Sequence, residues 1–178
     1  MGRKNILFIM CDQLRFDYLG CAGHPSIKTP NIDALAKRGV RFSNVYCQSP
    51  TCGPSRMSTY TGRYVSAHGS HSNHAALRIG EKNIGHHLNP LGLRTVLVGK
   101  THMVADKEGM ERLGVEADSV IGVHHSQAGF EAYERDDGVH PDSMVRPGLA
   151  YNEYLKAKGY TEDDNPRHWA ANSIETRT

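Results

Sequence analysis

No run in this sequence is apolar for long enough to cross a membrane. Met1-Gly2-Arg3-Lys4 is basic, but the apolar run behind it, Ile6 to Cys11, is too short for the core of a secretory signal. No small-residue cleavage site follows, and Ile6 stands where a myristoylation pattern wants Ser or Thr. These absences predict a cytoplasmic protein that starts at Met1. An excess of one charge is missing too: 21 Lys and Arg against 19 Asp and Glu leave a net charge of +2. That balance gives no reason to expect nucleic acid or an anionic membrane as partner. Cysteine is scarce, and Cys11, Cys21, Cys47 and Cys52 form no Cys-x-x-Cys pair, which argues against a zinc site. In a cytoplasmic chain disulfides are not expected. Cys11, Cys21 and Cys47 therefore read as small buried apolar residues. There is no internal repeat and no low-complexity tract. With 178 residues, 38% of them apolar, the chain suits one domain whose function lies in a site.

What is present alternates between apolar runs and helix punctuation. Asn5 to Cys11 is apolar without polar alternation, as in a strand covered on both faces of a parallel sheet. It ends in Asp12-Gln13, at the position where open α/β sheets receive ligands. Thr29 suits an N-cap, Pro30 the first helical position and Gly39 the C-terminal cap, with Ile32, Leu35 and Ala36 as the apolar face. Val40 to Tyr46 alternates like a second strand. Gln48 to Gly53 is a turn-rich loop, and a helix runs from Pro54 to about Tyr60, closed by Gly62. Asn83 to Leu91 is a short helix, and Leu93 to Gly99 a strand that leads into Lys100-Thr101-His102. From residue 105 onward charge, Gly, Pro and His dominate, and no strand is as clear as the first. The expected architecture is α/β, a mostly parallel or mixed sheet flanked by helices and incomplete in this chain. Residues 1–104 would form the core, and residues 105–178 a loop-rich continuation or lid.

The chemistry concentrates in Ser49-Pro50-Thr51-Cys52-Gly53-Pro54-Ser55-Arg56. Cys52 stands two residues before a proline that can open a helix, so it faces the free N–H groups and positive end of that helix. Negative charge developing in a transition state is favoured there. Arg56, on the first turn, can offer a planar fork of donors to an oxyanion. A nucleophile, an anion-binding helix end and an arginine thus converge within five residues.

This segment resembles the Cys-x-Pro-Ser-Arg signature of the type I sulfatases, in the alkaline phosphatase superfamily. Thr61-Gly62-Arg63 and His68-Gly69 follow at the family's distance. The resemblance implies an alkaline-phosphatase-like fold and hydrolysis of sulfate esters. It implies that Cys52 is oxidised to formylglycine by a formylglycine-generating enzyme, and that the hydrated aldehyde is the nucleophile. One hydroxyl attacks sulfur and the other later expels sulfate, an exit that a plain thiolate lacks. Arg56 would hold the diol. Asp12, Gln13 and residue 52 would bind a divalent metal, with Ca²⁺ first and Mg²⁺ or Mn²⁺ as alternatives. The metal would polarise the sulfate oxygens. Gly99-Lys100-Thr101-His102 is similar to the family's Gly-Lys-x-His run, so Lys100 would bind the sulfate and His102 the diol. Two apart on an extended backbone, Lys100 and His102 would face one side.

Two other readings stay open. Phosphonate monoester and phosphodiester hydrolases share the fold and can carry Asp-Gln after the first strand, but tend to lack the Gly-Lys-x-His run. A non-catalytic metal-binding or structural fragment would leave Cys52 unmodified. The family's further metal ligands, second histidine and second lysine have no counterpart from Met103 to Thr178. The expectation is a portion of a longer enzyme, inactive by itself. His68, His71 and His74 read as a surface or substrate-rim loop, and His124-His125 as surface loop. The rim loops over 64–82 and 103–140 would select the substrate.

Overall fold

Helix formation follows the punctuation more closely than strand formation follows the apolar runs. The computed structural model describes residues 5–116, 119, 128–135 and 150–160. By its internal packing the chain divides into two units, residues 1–47 and 48–178. The break falls well before the change of character at residue 105.

In the first unit, helix α1 spans Pro30–Arg38 and starts on the proline. Thr29 precedes it but does not cap it with its side chain. Its hydroxyl instead donates to Asp33 Oδ1 at 2.8 Å and accepts the Gly20 N–H at 2.9 Å. Asp33 Oδ1 also accepts the Cys21 N–H at 2.7 Å, which ties a 3₁₀ turn, Gly20–Ala22, to the helix. The Thr29 hydroxyl, followed by the Cys21 N–H, draws the Asp33 carboxyl below its ordinary pKa despite some opposing desolvation. Gly39 closes α1 with extended backbone, its N–H donating to Leu35 O. The expected apolar face is not covered, since Ile32 and Leu35 are exposed.

The two strands expected in this unit do not form. Asn5–Cys11 and Val40–Tyr46 have no strand pairing, and Ile6, Leu7, Phe42 and Tyr46 are among the most exposed large apolar residues. A strand is completed by a neighbour's ladder of hydrogen bonds. Among the described residues nothing pairs with either segment. Cys11 and Cys47 lie on these uncovered stretches and are exposed rather than buried, while Cys21 is partly covered; all are free thiols.

In the second unit, helix α2 spans Cys52–Thr61, two residues earlier than expected, and ends at Gly62 in the left-handed conformation. Helix α3 is the single turn Val65–His68. Helix α4, Ile84–Leu88, is capped by Asn83, whose side-chain oxygen accepts the Gly85 and His86 N–H groups. A 3₁₀ turn, Asn89–Leu91, follows. Strand β1, Val96–Gly99, is shorter than the expected 93–99. Helix α5, Lys107–Arg112, is capped by Asp106, which also accepts the Ile79 N–H at 2.9 Å. Strand β2, Glu131–Arg135, pairs in parallel with β1 across an irregularity between Leu97 and Val98. Helix α6, Ala150–Ala157, is the last described element. Thus β2, α5 and α6 fall where a loop-rich continuation was expected. No described helix is long and apolar enough to cross a membrane.

The core of this unit lies against α2. Met57, Leu77, Met103 and Ala128 are buried together, with Tyr60 and Phe130 packed against them. The Tyr60 and Phe130 rings meet edge to face, their centroids 5.6 Å apart. Burying a side chain such as Met57 contributes about 1.5–3 kcal/mol. The helix that carries Cys52 is therefore anchored in the core of the unit through Met57 and Tyr60.

Candidate active site

Cys52 is the first residue of α2 and is half-buried. Its neighbour Gly53 sits against the loop of residues 69–75. The Gly53 N–H donates to Asn73 Oδ1 at 2.8 Å. A Cβ added at Gly53 would lie 3.1 Å from that oxygen and 3.2 Å from Asn73 Cα, so any side chain there would crowd the loop. Pro54 has no N–H, and the Ser55 N–H donates to Thr51 O. The helix start therefore keeps its positive dipole end but not the row of free donors expected from its sequence. The Cys52 N–H remains, unpaired among the described residues.

Opposite Cys52 stands Lys100, directly after β1. Its Nζ is 3.8 Å from Cys52 Sγ. Arg56, one turn into α2, is buried, and its Nη1 donates to the Lys100 carbonyl at 2.6 Å. Part of the guanidinium fork expected to meet an oxyanion thus braces the backbone of Lys100. The bond links the helix to the end of β1 and holds the backbone of Lys100 near Cys52. At about 4 Å a unit positive charge stabilises a unit negative charge by ~4 kcal/mol at an effective dielectric of ~20.

His102 is buried two residues further on. The backbone does not run extended to it. Gly99 has φ 87° and His102 φ 54°, so the chain turns twice in the left-handed region. Both residues of that pair are therefore flanked or held by turned rather than regular extended backbone. A non-glycine residue held at positive φ stores strain of about 1–3 kcal/mol, and such strain gathers at functional positions. Gln13, in the first unit, has the same feature at φ 55°.

Two residues that shape the site were not read as such from the sequence. Asn73 is one polar residue in a polar loop. His68, expected at the surface or substrate rim, is instead 1% exposed. The spacing of Ser58 and His68 offered no warning that they meet, since a turn and a second helix intervene. His71 and His74 are exposed, and His124-His125 lie outside the described residues.

Asp12 and Gln13 are exposed in the first unit. A carboxylate and an amide oxygen are hard donors, right in kind for Ca²⁺, Mg²⁺ or Mn²⁺. They are two ligands of the roughly six to eight that Ca²⁺ takes. Among the described residues no group of three or more His, Cys, Asp or Glu stands ready to hold a metal. The donor type fits and the donor number is partial.

The sulfatase family model matches residues 4–165. An ulvan-active sulfatase of Formosa agariphila is 39% identical over 102 residues, 57% of this chain and 20% of that protein. An N-acetylglucosamine-6-O-sulfatase of Bacteroides thetaiotaomicron is 30% identical over 151 residues, 83% of this chain and 25% of that protein. The chain thus spans 20–25% of the length of these relatives. Among solved structures, a phosphonate monoester hydrolase from Silicibacter pomeroyi superposes with a TM-score of 0.69 at 28% identity, over 92% of this chain and 30% of that one.

Proposed function

The chain belongs to the sulfatase family of the alkaline phosphatase superfamily, as its N-terminal part, and we propose that it supplies the nucleophile side of a site that hydrolyses sulfate esters. The observation that carries this reading is the Lys100 ammonium 3.8 Å from Cys52 Sγ at the start of α2. A sulfate ester brings negative charge to sulfur's oxygens, and attack increases it. A lysine and a helix N-terminus aimed at one atom favour that change.

Cys52 is the position we assign to formylglycine, made by a formylglycine-generating enzyme. Hydrated, that group supplies an oxygen nucleophile and a second hydroxyl through which sulfate departs. Its two oxygens need donors and an open side. Lys100 Nζ and the Cys52 N–H are donors placed to meet them, and residue 52 itself is only half-buried. Arg56 holds Lys100 in place through the carbonyl of residue 100. His102, buried and set by a turned backbone, is assigned to proton handling near the same position. Asp12 and Gln13 would contribute two oxygen ligands to a divalent metal, which supplies Lewis-acid polarisation of the substrate. The incomplete donor set fits a site finished by groups beyond those described.

A second reading is favoured by Gln13 and by the likeness to a phosphonate monoester hydrolase. A neutral amide at position 13 leaves the metal site less negative than two carboxylates would. Lys100 weighs toward the sulfate ester. Parallel turnover of an aryl sulfate, a phosphonate monoester and a phosphodiester by the whole enzyme decides between them. Sulfate turnover at least tenfold faster, as kcat/KM, supports the first reading. The reverse order overturns it.

A further inference from the structure

His68 has no part in the chemistry above, yet it is buried as deeply as the core, at the last position of α3. Both ring nitrogens are engaged. The Ser70 N–H donates to Nδ1 at 3.1 Å, and Ser58 Oγ lies 2.9 Å from Nε2. A backbone N–H can only donate, so Nδ1 must present its lone pair. The ring proton then sits on Nε2 and is donated to the Ser58 hydroxyl. A protonated ring would set a second N–H against that of Ser70. Burial pushes the His68 pKa down, with a smaller opposing pull from Glu81 and a smaller push in the same direction from Arg63.

The two partners of His68 belong to different segments. Ser58 lies on α2, six residues after Cys52. Ser70 opens the loop that returns to the start of the same helix. The Ser70 hydroxyl donates to Ala75 O at 2.6 Å and closes that loop. Asn73, within it, accepts the Gly53 N–H at 2.8 Å. The loop is thus fastened to α2 twice, through His68 at Ser58 and through Asn73 at Gly53. The first turn of a helix frays unless its N–H groups find partners. Thr51 provides no side-chain cap. Asn73 replaces it from another segment.

We propose that His68, held as the neutral Nε2–H tautomer between Ser58 and Ser70, is a positioning residue that clamps loop 69–75 onto α2, so that Asn73 fixes the first turn and holds residue 52 beside Lys100. The clamp rests on residue 52 being the reacting position, not on the substrate class. A reacting group displaced by about 1 Å can lose about 100-fold in rate.

The test uses the full chain with Cys52 still a thiol, made in a host without formylglycine-generating activity. Cys52 is alkylated in parallel with iodoacetate, an anion, and iodoacetamide, which is neutral, and each site is read by peptide mass spectrometry. The same thiolate attacks the carbon of both reagents and expels iodide, so the ratio of rates reports the positive field of Lys100 and the helix start. Exposed Cys11 serves as the internal reference. His68→Ala and Asn73→Ala are expected to lower the ratio at Cys52 about two- to fivefold, the size of a helix-end effect, and leave it unchanged at Cys11. His68→Gln, whose amide can accept from Ser70 and donate to Ser58, is expected to keep it. An unchanged ratio in Asn73→Ala overturns the proposal, as does a His68→Gln that falls as far as His68→Ala. If His68→Ala does not fold, Asn73→Ala and His68→Gln still decide. The thiol assay needs no turnover. Absence of sulfatase activity in the converted enzyme would count against the proposed function and leave the clamp to its own result.

Discussion

Ile6–Cys11 and Val96–Gly99 carry the same signal in sequence, a short apolar run that ends at polar residues, yet only the second is a strand. Val96–Gly99 has a parallel partner in Glu131–Arg135. Its Leu97 is buried. Ile6–Cys11 has neither among the described residues, and its side chains stay exposed. An apolar run states what a segment could bury. A partner decides whether it does.

The sharpest contrast between the two regions is expected in cysteine chemistry. Cys52→Ala should lower sulfate ester hydrolysis by about 10⁴-fold or more, the scale of losing a covalent nucleophile. Cys47→Ala, five residues earlier and exposed, should leave kcat/KM unchanged. Equal losses in steady-state assays would break the division. Next comes Lys100. Removing its charge with Lys100→Ala should cost about 10²–10³ in kcat/KM, as for loss of one electrostatic stabiliser. Lys100→Arg should recover little, because a planar fork does not replace a compact ammonium at 3.8 Å from Sγ.

Stability should divide the same way. Met57→Ala is expected to cost about 2–5 kcal/mol by denaturant unfolding, since it empties the core beneath α2. Phe8→Ala, on an exposed segment, should stay within ~0.5 kcal/mol. Comparable losses would show that the first unit is covered in solution.

The smallest expected effect is on pH. Burial sets the His68 pKa below the unfolded value of 6.5, so the unfolded chain binds more protons as the pH falls through that range. Stability is full above 6.5 and declines as the pH drops from there through the lowered pKa. His68→Gln should flatten that part of the profile, measured as the denaturation midpoint from pH 7.5 down to 5.

Local chemistry was legible in the sequence; long-range partners were not. Pro30 and Gly62 mark helix ends where the structure has them, because capping depends on a few adjacent residues. Cys52 and Arg56 were picked out by residue type and spacing and Lys100 by the resemblance of its run to the family's, and the fold joins them through two bonds. The bracing role of Arg56 was hidden, since its acceptor is a backbone carbonyl 44 residues away. Asn73 was missed, and His68 was misplaced at the surface or rim, for a similar reason. Their importance lies in Gly53 and Ser58, and no local pattern announces either contact. The left-handed backbone at His102, a non-glycine position, carried no sequence signal either.

The central claim is that residue 52 reacts as formylglycine. The most direct measurement takes enzyme that turns over an aryl sulfate and reads, by tandem mass spectrometry, the tryptic peptide from Phe42 to Arg56. A loss of about 18 Da located at Cys52, with Cys47 intact, is the predicted result. An active enzyme whose Cys52 is entirely an unmodified thiol would contradict the account.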